Sequence, residues 1–249
     1  MLGGINKLHG YVIRATDGEI GKVDEFYFDD ASWRVRYLVA DTGNWLTGRK
    51  VLLPVATLGP PSRESRCLTV SLTCKQVEDS PDINTEQPIT RRQDEELRRH
   101  FGWAYSWAAD PLLGDPAFSS TPAAMSAAMA LEESPEPHGD PHLESAKDVI
   151  GYHIQAVDSE IGHVEDFLVD DRDWVLRYIA VDTGNKKVLI APQWVDKIEW
   201  TEEKMYVGLT RDHITGAPSF DPAAPITRDY ESQLYDYYGS RSTGSSYSV

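Results

Sequence analysis

The sequence predicts a mainly β protein made of two tandem small closed sheets, each followed by a C-terminal α-helix. Three observations predict it: an internal repeat of about 95 residues, short alternating apolar segments separated by turn residues, and a helix signal closing each copy.

The repeat organises the chain. Residues 8–44 and 149–185 align at a constant offset of 141 with 19 identities in 37 positions, including Gly10-Tyr11/Gly151-Tyr152, Asp29-Asp30/Asp170-Asp171, Trp33/Trp174 and Asp41-Thr42-Gly43-Asn44/Asp182-Thr183-Gly184-Asn185. Four extra residues around Trp45-Leu46-Thr47-Gly48 follow in the first copy, and the offset then becomes 137, bringing Val51-Leu52-Leu53 onto Val188-Leu189-Ile190 and Pro88-Ile89-Thr90-Arg91 onto Pro225-Ile226-Thr227-Arg228. The expected organisation is a first domain at 1–103, a flexible Ala/Pro/Ser/acidic linker at 104–147, a second domain at 148–239 and a disordered tail at 240–249.

Within the first copy, Tyr11 to Thr16 and Glu19 to Phe28 read as strands joined by a tight Asp17-Gly18 turn, because Asp-Gly supplies positive backbone angles. Phe26 and Phe28 fall out of alternation with Val23, which predicts a bulge near Asp24-Glu25. A turn at Asp29-Asp30-Ala31-Ser32 precedes the alternating strand Trp33, Val35, Tyr37, Val39. Lys50 to Leu53 and Leu68 to Thr73 read as further short strands, with Pro54 to Leu58 between them. Many short strands with regular turns argue for closed sheets, since closure removes exposed edges.

Helices are expected from Thr90 to about Phe101 and from Thr227 to about Tyr238, with Thr90 and Thr227 as N-caps and Gly102 and Gly239 as stops. Asp94 with Arg98 and Glu95 with Arg99 stand four apart in the order that suits a solvated face. The aromatic ends, Trp103 and Trp107 on one side and Tyr237 and Tyr238 on the other, are either helix anchors or a partner-binding stripe. Cys67 and Cys74 read as ends of one strand, roughly 23 Å apart on opposite faces and therefore unpaired.

The net charge of −16 and pI near 4.8 oppose binding to nucleic acid or to an anionic membrane surface. No stretch approaches the ~20 apolar residues of a membrane span, and the first residues lack an apolar signal run. A cytoplasmic protein without membrane insertion is the expectation. The acid is unevenly spread: residues 1–103 carry 14 Lys and Arg against 15 Asp and Glu, whereas 148–249 carry nine against 18. Similar folds with unlike surfaces point either to different partners for the two halves or to one half that binds while the other keeps the molecule soluble.

The pattern Gly-Tyr, Asp-Gly-Glu-Ile-Gly-Lys-Val, Asp-Asp, Trp, Arg-Tyr-Leu-Val, Asp-Thr-Gly-Asn-Trp-Leu and Lys-Val-Leu-Leu-Pro resembles the PRC-barrel domain family over both copies. The resemblance implies two small six-stranded, mostly antiparallel PRC-type barrels that act by binding. Relatives of this type include the cytoplasmic part of the photosynthetic reaction centre H subunit, the C-terminal domain of a ribosome maturation factor, and soluble tandem proteins. The H subunit's proton-path carboxylates match no motif in this sequence, so no site is carried over.

Phosphate-loop, nucleophile-elbow and His-Glu-x-x-His signatures are missing from the sequence, and no catalytic, cofactor-binding or metal-ligating residue is assigned. Asp29-Asp30 and Asp170-Asp171 suit a hard cation but are accounted for by turn chemistry. His153 and His163 are expected on opposite faces of a hairpin, because the pairing of Val157 with Glu160 sets His153 against Val164. Candidate partner-binding residues are Trp45, Leu46, Trp103, Trp107, Tyr237 and Tyr238. The expected role is a non-enzymatic adaptor or assembly factor for protein partners, with barrel–barrel packing within the chain or a homodimer. A metal-ion or small polar ligand sensor is the alternative, and ribosome assembly a third reading.

Overall fold

Hydrophobic alternation interrupted by bulges shapes each copy of the computed structural model, which describes residues 2–46, 48–82, 89–102 and 143–242. The first copy runs β1 (Leu2–Gly4), a 3-10 turn, β2 (Val12–Arg14), β3 (Glu19–Asp29), β4 (Arg34–Asp41), β5 (Lys50–Pro54), β6 (Cys67–Thr69), α1 (Cys74–Glu78) and α2 (Arg91–His100). The second runs β7 (Leu143–Ser145), α3 (Ala146–Val149), β8 (His153–Gln155), β9 (Glu160–Asp170), β10 (Val175–Asp182), β11 (Lys187–Ile190), β12 (Val195–Glu199), β13 (Lys204–Val207), α4 (Arg211–Thr215) and α5 (Arg228–Ser242). The bulge falls at Asp24, where Val23 pairs with Ala40 but Glu25 with Val39, and it returns Phe26 and Phe28 to the buried face of Val23. Glu165 repeats it in the second copy.

The copies do not close separate barrels. Their strands form one continuous 13-stranded sheet that is not closed, and each copy gives its first strand to the other. β1 pairs with β9 (Leu2 opposite Asp170), and β7 pairs with β3 (Leu143 opposite Asp29), the same register in both directions. The cause is a mismatch of lengths. β3 spans 11 residues and β2 only three, so β2 covers the start of one edge and leaves Tyr27 to Asp29 for the incoming strand.

At the junction, Val35 N donates to Trp174 O (2.9 Å) and Leu176 N to Trp33 O (2.8 Å), bonds related by the repeat's own pseudo-twofold. Both tryptophans hold left-handed backbone angles, φ 56° and 55°, an uncommon state for a bulky residue. The strained turn aims each carbonyl at the other copy, so association offsets its cost. Beneath it Phe28 and Phe167 meet with ring centroids 5.2 Å apart, Trp174 stacks on Phe26 and Trp33 on Phe28. One apolar core therefore runs through both copies.

Gly21 and Gly162, at φ 144° and 150°, permit the tight crossing of β3 over β4 and of β9 over β10. A Cβ there would lie 2.2 Å from Asp41 O and 2.0 Å from Asp182 O.

Several expectations are corrected. The sheet is mixed, since β2 with β6 and β8 with β13 are parallel. Residues 143–147, expected in the linker, supply β7 and the start of α3. Asp17-Gly18 does not make a two-residue turn: Arg14 pairs with Glu19, and Gly18 takes no left-handed angle. Asp17 instead accepts the Cys74 backbone N–H at 2.7 Å, as Asp158 accepts that of Arg211 at 2.8 Å, so a tertiary helix cap displaces the local turn.

Cys74 consequently starts α1 behind its Thr73 cap and is not in the strand of Cys67; both thiols are free. Gly239 lies within α5, which reaches into the expected tail as far as Ser242. Among the described residues no helix is long and apolar enough to cross a membrane.

Candidate functional site

Most of the residues singled out from the sequence have structural partners. In the Asp41 loop, Asp41 Oδ1 accepts Gly43 N at 2.9 Å; its repeat partner Asp182 accepts Gly184 N at 2.7 Å. Asp29 accepts the Ser32 N–H and hydroxyl at 2.7 and 2.8 Å, and Asp170 accepts Arg172 N at 3.2 Å, which is turn chemistry. Trp45 is 40% exposed, while Leu46 is half-buried against the core.

Tyr238 is buried and donates to Leu189 O, and Tyr237 donates to His213 O, both at 2.8 Å, so these two tyrosines fasten α5 to β11 and to α4 of its own copy. Trp103 and Trp107 lie outside the described residues.

His153 and His163 stand directly opposite each other across β8 and β9, on one face. The expected opposite-face placement fails because a register shift between Ile154 and Gln155 moves the pairing by one residue. His163, Glu165 and Asp182 each offer a ligand atom within 4.8 Å of the others. Lys187 Nζ already bonds Glu165, as Lys50 bonds Asp24 in the first copy at 2.8 Å. The shared feature is thus an ion pair, with a histidine where the first copy has Lys22.

Three carboxylates, Glu25 and Glu144 buried and Asp166 half-buried, sit where strands are exchanged. Glu25 and Asp166 occupy the same repeat position: Glu25 accepts the Ser145 hydroxyl (2.6 Å), and Asp166 accepts Asn6 N (3.1 Å). Burial raises both, Asp166 to about 6. Glu144, on β7, is pushed up to about 8 by burial, partly offset by the Trp200 indole donating at 2.8 Å.

A cleft lies against the second half, with Leu2, Ser32 and Trp33 of the first copy in its wall. A groove of about 770 Å³ opens between α5 and β10, lined by Trp33, Tyr178, Trp194, Glu231 and Tyr235 and by Leu2 of the exchanged strand. Tyr178 is half-buried and Tyr235 is 79% exposed. Burial and the nearby Glu231 carboxylate both raise the Tyr178 hydroxyl.

The equivalent space in the first half is filled. There Tyr27, Tyr37, Val39, Leu52, Ile89, Leu97 and Leu143 form a buried cluster under α2. Asp94, 1% exposed, accepts from the Tyr37 hydroxyl and pairs with Arg98. The expected solvated Asp94–Arg98 face is therefore a buried clasp.

Sequence reading missed the groove, and the signal was in the copy-to-copy differences. Leu168 replaces Tyr27, Ala180 replaces Val39, Glu231 replaces Asp94 and Tyr235 replaces Arg98. Glu231 and Tyr235 line the groove, where the arginine of the first half's clasp is missing, while Leu168 and Ala180 are buried in the shared core.

A family model for the PRC-barrel domain matches residues 4–68 and again residues 141–207. No curated protein matches the chain.

Proposed function

Since the chain belongs to the PRC-barrel domain family, matched over more than half its length, we propose that it is a non-catalytic binding protein, an adaptor or assembly factor for protein partners. The observation that carries this is the second half's aromatic groove. Its first-half counterpart is sealed, so the same scaffold has been left open on one side only. Tryptophan and tyrosine walls suit a protein surface, since they bury much area with few rotamers to freeze. The surplus of acid in the second half favours a basic partner.

The test places a photo-crosslinking phenylalanine analogue at Gln193, on the groove's rim, or at its first-half equivalent Ala56, in the full chain within its native cell. Protein adducts from position 193 and none from 56 are expected. Adducts from neither position would overturn the reading.

The alternative, a metal-ion or small polar ligand sensor, has His163, Glu165 and Asp182 in its favour and the Lys187 ammonium on Glu165 against it. Calorimetric titration with zinc, calcium and magnesium decides it: saturable heat abolished by His163→Ala would install this reading. Ribosome assembly stands behind both, because a net charge of −16 repels RNA.

A further inference from the structure

The filled half is a template for what the open half lacks. Under α2 the Arg98 guanidinium reaches the buried Asp94 carboxylate, which also holds the Tyr37 hydroxyl. Under α5 the carboxylate and phenol remain, as Glu231 and Tyr178, but the arginine position is Tyr235, turned to solvent. Among the described residues Glu231 has no cationic partner. Arg177 also lines the groove, but it is paired with Asp173.

The chain has little of its own to offer. Arg228, three residues before Glu231 on α5, is exposed and forms no ion pair with it among the described residues; residues 103–142 and 243–249 contain no lysine or arginine, and Arg241 lies ten residues from Glu231 along the same helix, about 15 Å at the usual helical rise.

We propose that this groove receives an arginine side chain from a partner protein, its guanidinium taking against Glu231 and Tyr178 the place that Arg98 takes against Asp94 and Tyr37. The inference rests on the protein-binding reading above and specifies the partner's anchor. Arginine fits better than lysine for two reasons. A planar guanidinium binds a carboxylate through two parallel hydrogen bonds, and it stacks on aromatic faces such as those of Trp33, Trp194 and Tyr235. Leu2 and Leu234 supply an apolar floor, so the partner segment carries apolar neighbours beside the arginine. Charge agrees, the second half having nine basic residues against 18 acidic.

The probe is the peptide acetyl-Leu-Arg-Leu-amide, titrated into the full ¹⁵N-labelled chain while the Trp33 and Trp194 indole signals are followed. Saturable shifts are expected, with affinity falling about tenfold in Glu231→Gln, the loss typical of a charged hydrogen-bonding partner. The citrulline peptide, equal in shape but uncharged, should not saturate. Tyr235→Arg restores the first half's clasp from within and should block the peptide while raising the melting temperature.

No saturable shift with the arginine peptide, equal binding of the citrulline peptide, or unchanged affinity in either folded variant would overturn the proposal. If crosslinks still form at Gln193 in that event, the arginine anchor falls and the protein-binding reading stands. If they do not, both fall.

Discussion

The two halves carry the same strands, the same bulge and the same strained tryptophan, yet one has its helix clamped over the sheet and the other holds its helix over a groove. Much of what joins the halves is duplicated: exchanged strands, Trp33 with Trp174, Phe26 with Phe167, Glu25 with Asp166, although Phe28 and Glu144 correspond to Val169 and Gly3. The faces under the closing helices differ. The comparison teaches that the joint constrains both copies alike, whereas the outer helix faces were free to diverge, one toward stability and one toward an open surface.

The sharpest way to break this comparison is to strike the joint. Phe28→Ala removes a fully buried ring that touches Phe167 across the junction. A loss of about 3–5 kcal/mol is expected. Because the core is shared, both halves should unfold together in a single denaturant transition, followed by tryptophan fluorescence and far-UV dichroism. If only the first half lost stability while the second kept its own later transition, the halves would be separate bodies after all.

Next in size is the clasp. Arg98→Ala leaves Asp94 buried without its cation, a change that costs about 3–5 kcal/mol when the charge has no other route to solvent. Leu97→Ala should cost about 3 kcal/mol and its counterpart Leu234→Ala about 2, since a void beside an open groove is not sealed. Urea midpoints of the three variants measure the contrast. Equal losses at Leu97 and Leu234 would mean that the groove closes in solution.

A smaller, pH-dependent difference separates the exchanged strands. β7 carries Glu144 where β1 carries Gly3, so only one strand brings in a buried acid. Its folded-state value of about 8 lies above the ordinary 4.5, so the folded protein binds this proton more tightly than the unfolded chain. The contribution is therefore full below about pH 4.5 and is lost as pH rises through 8. Asp166 acts in the same direction between 3.8 and about 6. Glu144→Gln should flatten the fall in urea midpoint between pH 5 and 9, and an unchanged slope would place the proton elsewhere.

The least effect is expected at Trp45, in the loop found only in the first copy. Trp45→Ala should shift stability by no more than about 0.5 kcal/mol in thermal melts, because the ring is 40% exposed and its backbone turn is closed without it.

Local signals were legible where local physics decides. The broken alternation of Val23, Phe26 and Phe28 marked the bulge, Thr90 with Gln93 makes the capping box that its spacing allows, and Asp29 closes its turn with Ser32. Reading failed where a distant partner outbid a local one. Asp17 caps α1 instead of completing a tight turn, Asp94 turns inward to Tyr37, and a one-residue shift sets His153 opposite His163. The candidate groove lay in the differences between copies, a comparison the chain permits but whose meaning depends on knowing which positions face one another.

By itself, then, the sequence determined the duplication, the central strands with the closing helix of each copy, and the family, because each follows from residue patterns only a few positions long or from identity between aligned segments. Only the tertiary structure decided that the copies trade their first strands and share one core, and that one outer face is sealed while the other is open. Those outcomes depend on which unpaired edges and vacant volumes meet in space, and pairing between strands more than 100 residues apart leaves no trace in any local window.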